Sequence, residues 1–115
     1  MSSNDVSIDL YDCRLTATLA QALLKDAVGG KHRLTTLKLR RCYIEDIAMD
    51  MLLETLSKEH SLLHVCFSSI QGISIEKISS MLQSLKHHHV TYLDIRFNKD
   101  IQRNPEMIVK SLIHF

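Results

Sequence analysis

The chain has 115 residues, 45% of them hydrophobic, with 14 basic against 13 acidic side chains and a formal charge of +1. That length suits one compact domain and is too short for two ordinary ones, and the near-zero charge excludes a bulk field that would draw the chain to nucleic acid or anionic lipid. The three cysteines, Cys13, Cys42 and Cys66, are odd in number and form no CxxC pair, which argues against a secreted disulfide framework and predicts free thiols in a reducing compartment.

The opening MSSNDVSIDLYD is acidic and has neither the apolar core of a signal peptide nor the Arg-rich, acid-poor character of a transit peptide. No apolar run approaches the ~20 residues needed to span a bilayer. The expectation is a soluble intracellular protein, cytoplasmic or mitochondrial, with no direct membrane insertion.

In chain order, the first predicted strand carries Ile8 and Leu10 in alternation, followed by Cys13 and Leu15, with Asp5 at the head of the pattern. A helix follows with Leu19, Leu23 and Leu24 on one side, started by Thr16 or Thr18 and ended at Gly29 and Gly30. The second stretch states the pattern most fully: Leu34, Leu37, Leu39, Cys42 and Ile44, a skeleton LxxLxLxxCxI, then a helix with Ile47, Met51, Leu52 and Leu56. Shifted by 28 residues, the skeleton reads Leu62, Val65, Phe67 and Ile70, with Gly72 in the last apolar place and Ile73 beside it. Ser74 starts the third helix, whose stripe is Ile75, Ile78, Met81, Leu82 and Leu85. A further shift of 28 gives Val90, Leu93, Ile95 and Asn98, then Ile101, with Pro105 opening a last helix that carries Ile108, Val109 and Leu112. His32, His60 and His88 each precede their copy by two residues, an independent marker of the same spacing.

Alternating apolar residues in the first half of each copy require a strand with one buried face, and a spacing of three or four in the second half requires an amphipathic helix. A strand and a helix in 28 residues cannot hide both apolar faces alone. The predicted fold class is therefore α/β: about four strand–helix units, at roughly 5–33, 34–61, 62–89 and 90–115, stacked into one solenoid with a parallel sheet on the concave side and helices outside.

The ladder LxxLxLxxC, repeated every 28 to 29 residues with a helix in each copy, resembles the leucine-rich repeats of the ribonuclease-inhibitor and cysteine-containing classes. The resemblance implies that Cys13, Cys42, Ile70 and Asn98 lie inside the turn after each strand, where the side chain satisfies backbone groups of the bend. Ile70 departs from the family's cysteine or asparagine, so the third turn is expected to be irregular. Residues 42–63, CYIEDIAMDMLLETLSKEHSLL, are also similar to the coupling factor B family of leucine-rich-repeat proteins associated with mitochondrial ATP synthase and to related respiratory-complex assembly factors. That similarity implies an accessory role in such a complex.

Strand residues pointing away from the core fall into three rows: Ser7, Thr36, His64, Tyr92; then Asp9, Lys38, Cys66, Asp94; then Tyr11, Arg40, Ser68, Arg96. Tyrosine and arginine are enriched at binding hot spots, so Tyr11, Thr36, Lys38, Arg40, His64, Cys66, Tyr92, Asp94 and Arg96 are the candidate partner contacts. Cys66 is the only thiol expected to face outward. Terminal units expose one side of a stacked core, and neither Val6 at the start nor Ile113 and Phe115 at the end is covered by a polar cap, which makes the open ends further candidate contacts. Lys38, Arg40, Arg41 and Arg33 could meet phosphate or an acidic partner, but no aromatic residues interleave with them to stack bases, and nucleic acid is not expected. The run His87, His88, His89 has no carboxylate or thiol at ligand spacing, so no metal or other cofactor is expected. With no glycine-rich phosphate loop, GxSxG or HExxH, the expected function is non-catalytic: an adaptor or accessory subunit that binds one or more proteins of a multi-subunit complex.

Overall fold

The computed structural model describes residues 5–27, 32–58 and 61–95, together with Glu106. Within them the elements follow as β1 (Asp5–Tyr11), β2 (Arg14–Leu15), α1 (Ala17–Ala27), β3 (Arg33–Arg40), β4 (Tyr43–Ile44), α2 (Asp46–Lys58), β5 (His64–Ser68), α3 (Ile75–Ser84), a single 3-10 turn (Leu85–His87) and β6 (Tyr92–Asp94). The architecture is mixed α/β, a four-stranded parallel sheet in the order β1-β3-β5-β6 with three helices. Gly29, Gly30, His60, Arg96, Asn98, Ile101, Pro105, Ile108, Val109, Leu112, Ile113 and Phe115 lie outside the described residues, and with them most of the stretch expected as the last unit.

The spacing of the apolar residues is the register of the sheet. β3 pairs with β5 and β5 with β6 at an offset of 28, so Leu37, Val65 and Leu93 stand side by side. Between β1 and β3 the offset begins at 28, with Val6 opposite Leu34, and becomes 29 from Ser7 opposite Thr36 onward. Thr35 is the extra residue, and its hydroxyl donates to the Val6 carbonyl at 3.4 Å. Sequence alignment at a constant 29 puts Asp5 at the head of the first skeleton. The register shift puts Val6 there instead, half-buried and packed against the core, with Asp5 outside in an ion pair to Arg33 at 2.8 Å.

Alternation then sorts the side chains. Leu37, Leu39 and Val65 are fully enclosed, with Phe67 nearly so, against Ala48, Met49, Leu52, Leu56, Ile78, Met81, Leu82 and Leu85 from the helical layer. Each such side chain stabilises the fold by roughly 1.5–3 kcal/mol relative to exposure. The buried face of α2 differs from the expected stripe: Ala48, Met49, Leu52 and Leu56 point inward, whereas Ile47 is 65% exposed and Met51 only half-buried. Apolar residues flank both sides of this helix, and the small Ala48 permits close approach. Ala20, 28 positions earlier in α1, is buried in the same way.

Three turns after the strands share one conformation, with Asp12, Arg41 and Ser69 at φ of 55°, 54° and 54°. Non-glycine residues pay about 1–2 kcal/mol for this left-handed geometry. It persists because backbone bonds fix it: the Asp12 N–H donates to the Arg40 carbonyl and the Arg41 N–H to the Ser68 carbonyl, both at 2.9 Å. The turn aims the next residue inward. There the Cys42 thiol donates to the carbonyls of Arg40 at 3.3 Å and Leu10 at 3.6 Å, and Ile70 takes the corresponding buried place. The third turn is thus regular through Ile70, contrary to expectation. Its departure begins at Gly72, with φ +90°, where an added Cβ would stand 2.6 Å from the Ile44 carbonyl oxygen and 2.9 Å from the Tyr43 ring. Ile73 supplies the apolar side chain that Gly72 cannot.

Helix starts follow the sequence signals. Thr16 Oγ1 accepts from the Leu19 N–H at 3.1 Å, and Ser74 Oγ from the Lys77 N–H at 3.2 Å. The Ala17 N–H donates to the Glu45 carboxylate at 3.1 Å, so the acid that precedes α2 places its charge at the positive end of α1. Lys77 of α3 donates to Asp50 of α2, a contact that raises the lysine pKa above its ordinary value.

Candidate binding face

Period-two alternation delivers every second residue of the four strands to the face of the sheet opposite the apolar core. Pairing puts them in the expected rows: Ser7, Thr36, His64 and Tyr92; Asp9, Lys38, Cys66 and Asp94; Tyr11, Arg40 and Ser68. Arg96 lies outside the described residues. Within this face Lys38, Arg40, His64, Cys66, Ser68, Tyr92 and Asp94 line one groove of about 470 Å³. Tyr11 stands beside the groove and Thr36 heads its row, whereas Val6 sits at the β1 edge and belongs to the core rather than to this face.

The groove has a floor, two cationic walls and an aromatic end. Cys66 forms the floor, and its placement corrects the expectation of an outward thiol: it is only 6% exposed. Lys38 and Asp94 occupy the paired positions on either side of it, and their longer side chains overtop the short thiol, which lies 3.8 Å from the Ser68 hydroxyl. His64 and Tyr92 are both exposed with ring centroids 6.0 Å apart. Arg40 donates through Nη2 to Asp9 at 3.0 Å and lies 5.6 Å from the Tyr11 ring centre. Its Nε is buried with no hydrogen-bond partner among the described residues. Lys38 has no ion pair or hydrogen bond among them either.

A second groove of about 480 Å³ runs along the turns, lined by Asp12, Cys13, Arg14, Arg41, Tyr43, Ser69 and Gln71. Here the cations are engaged: Arg14 pairs with Glu45 at 3.3 Å and covers the Tyr43 ring at 4.6 Å, while Arg41 pairs with Asp12 at 3.8 Å and donates to the Tyr11 hydroxyl at 3.1 Å. The sequence reading passed over Arg14 and Tyr43. Their signal was the outward position beside each inward cysteine.

Cys13 and Cys42 bring their sulfurs to 3.8 Å. Burial first, then the contact with Cys42 and the charge of Asp12, push the Cys13 thiol above its ordinary pKa. A raised pKa keeps the sulfur protonated at neutral pH, and the thiol is a poor nucleophile. Alkylation of Cys13 by iodoacetamide at pH 7 should therefore be slower than that of a free cysteine, and should accelerate as pH rises past the usual thiol range. Equal rates at pH 7, followed by peptide mapping, would contradict this.

The histidine spacing turns out to mark no ligand column. His32 is exposed, while His88 is buried with both ring nitrogens used: Nδ1 accepts from the Leu62 N–H at 3.0 Å, and Nε2, which then carries the proton, donates to the Leu56 carbonyl at 2.9 Å. Among the described residues no group of three His, Cys, Asp or Glu side chains is placed to hold a metal ion, and no helix is long and apolar enough to cross a membrane. Set against known proteins, the chain matches no family model, no curated sequence and no solved structure.

Proposed function

We propose that this chain is a leucine-rich-repeat solenoid acting as a non-catalytic protein-interaction module, an adaptor or accessory subunit that docks its open sheet face onto a partner in a larger assembly. The observation that supports this reading most directly is the groove itself. Three adjacent parallel strands contribute Lys38 and Arg40, His64 and Cys66, and Tyr92 and Asp94 to one continuous surface, with exposed aromatic and cationic side chains of the kinds that dominate binding energy. A narrower reading, an accessory or assembly protein of mitochondrial ATP synthase or a respiratory complex, rests on the resemblance of residues 42–63 to the coupling factor B family. Cell fractionation separates it from a cytoplasmic adaptor.

The test is affinity purification of the tagged chain from cells at endogenous abundance, in parallel with the double variant Arg40→Ala, Tyr92→Ala. Specific partners should be recovered with the parent and lost, by tenfold or more, with the variant. Its thermal midpoint should stay near the parent's, because the Arg40–Asp9 pair is exposed and such pairs contribute about 0–1 kcal/mol. Equal recovery with both chains would remove the open face from the binding reading, and a collapsed midpoint would assign the two side chains a structural role.

A further inference from the structure

Charge on the open face is unevenly matched. Each acid of the first strand and its turn meets an arginine of the next: Asp5 with Arg33, Asp9 with Arg40, Asp12 with Arg41. One row over, Lys38 shares its row with Asp9 and Asp94 but pairs with neither: Asp9 is taken by Arg40, and Asp94 has an interaction of its own. The Arg40 Nε–H, two residues along the same strand and on the same face, is buried without an acceptor. An unmet buried donor is a cost that a ligand can relieve, and a carboxylate, which accepts through both oxygens, forms the charge-assisted bonds suited to an ammonium and a guanidinium N–H. His64 and Tyr92 continue the groove across two further strands at about 4.8 Å each, which is the reach of a few residues of extended chain.

Taking the open face as the binding surface, we propose that the groove accepts an extended acidic segment of a partner protein, with one carboxylate held between the Lys38 ammonium and the Arg40 Nε–H and a neighbouring apolar side chain against Tyr92. The Arg40 Nη2 is committed to Asp9 at 3.0 Å, so the fork that clamps a phosphate is not free. The face also lacks a row of aromatic residues on which successive bases would stack, and a protein carboxylate is the better match.

The experiment titrates the isotopically labelled full chain with three ten-residue probes: one rich in Glu and Asp around a central Tyr, its Gln/Asn counterpart, and its Lys counterpart, with a single-stranded oligonucleotide as a fourth. The acidic probe should bind at least tenfold more tightly than the neutral one and shift the backbone amides of Lys38, Arg40, His64 and Tyr92. Lys38→Glu should weaken it tenfold or more with a native-like amide spectrum, Lys38→Arg should retain it, and Arg41→Gln on the turn groove should leave it unchanged. Equal binding of acidic and neutral probes, tighter binding of the oligonucleotide, or shifts centred on Arg14 and Arg41 would each overturn the proposal. If the Lys38→Glu chain binds the acidic probe like the parent, the proposal also fails. Should a cellular partner still be lost with the Arg40→Ala, Tyr92→Ala chain in that event, the binding-face reading stands without it; if that partner too is retained, both fall.

Discussion

Alanine at position 88 should cost about 3–5 kcal/mol of stability and lower the thermal midpoint by on the order of 10–20 °C. His88 acts as a strut between two elements. Its Nε2–H satisfies Leu56, one of the last carbonyls of α2, which has no partner further along the helix, and its Nδ1 receives the Leu62 N–H just before β5 begins. Removing the ring strands both buried groups, at roughly 1–3 kcal/mol each, and leaves a void as well. Glutamine should restore part of the loss, since it offers a donor and an acceptor on a shorter reach. Circular-dichroism melts of the three chains decide it: a His88→Ala midpoint within about 2 °C of the parent would mean that neither bond stabilises the fold.

Leu39→Ala should be comparably damaging, at about 2–5 kcal/mol. Leu39 is fully buried, with Leu10 and Phe67 opposite it on the flanking strands. The nearest internal void, lined by residues that include Leu10, Leu37 and Leu39, is only about 10 Å³, too small to hold a disordered neighbour or to show slack that could collapse around the deletion. Leu63→Ala, at a site 39% exposed, is the control and should change stability by under about 1 kcal/mol. Urea titration of both variants with an unchanged m-value would confirm that the effect lies in the folded core; equal midpoints would contradict the packing derived above.

The strand register was legible because its period is the most redundant signal in the chain. Leu37/Leu39, Val65/Phe67 and Leu93/Ile95 repeat the same alternation at the same spacing, and a one-residue slip would turn every one of them to water. The three outward rows of the open face followed from that register without further information. Three things did not. The helix α2 carries apolar residues on two sides, and which side is buried depends on how closely Ala48 can approach the sheet, a tertiary fact that periodicity leaves ambiguous. Cys66 faces the predicted way yet is hidden, because exposure depends on the lengths of the neighbouring Lys38 and Asp94 side chains rather than on direction. The histidine spacing was a true periodicity with a misleading chemistry: the positions recur, but only at His88 is the ring known to turn inward, where it closes a helix end instead of binding an ion.

The ladder of acid–arginine contacts between β1 and β3 bears on how the molecule comes apart. β1 is an edge strand that fully buries only Ile8, and a good part of what fastens it sits in solvent as Asp5–Arg33, Asp9–Arg40 and Asp12–Arg41. Added salt weakens such contacts while leaving the enclosed leucines of β3 untouched. The amino-terminal strand is therefore the seam along which the protein frays, and deuterium should enter its amides first, sooner still in brine.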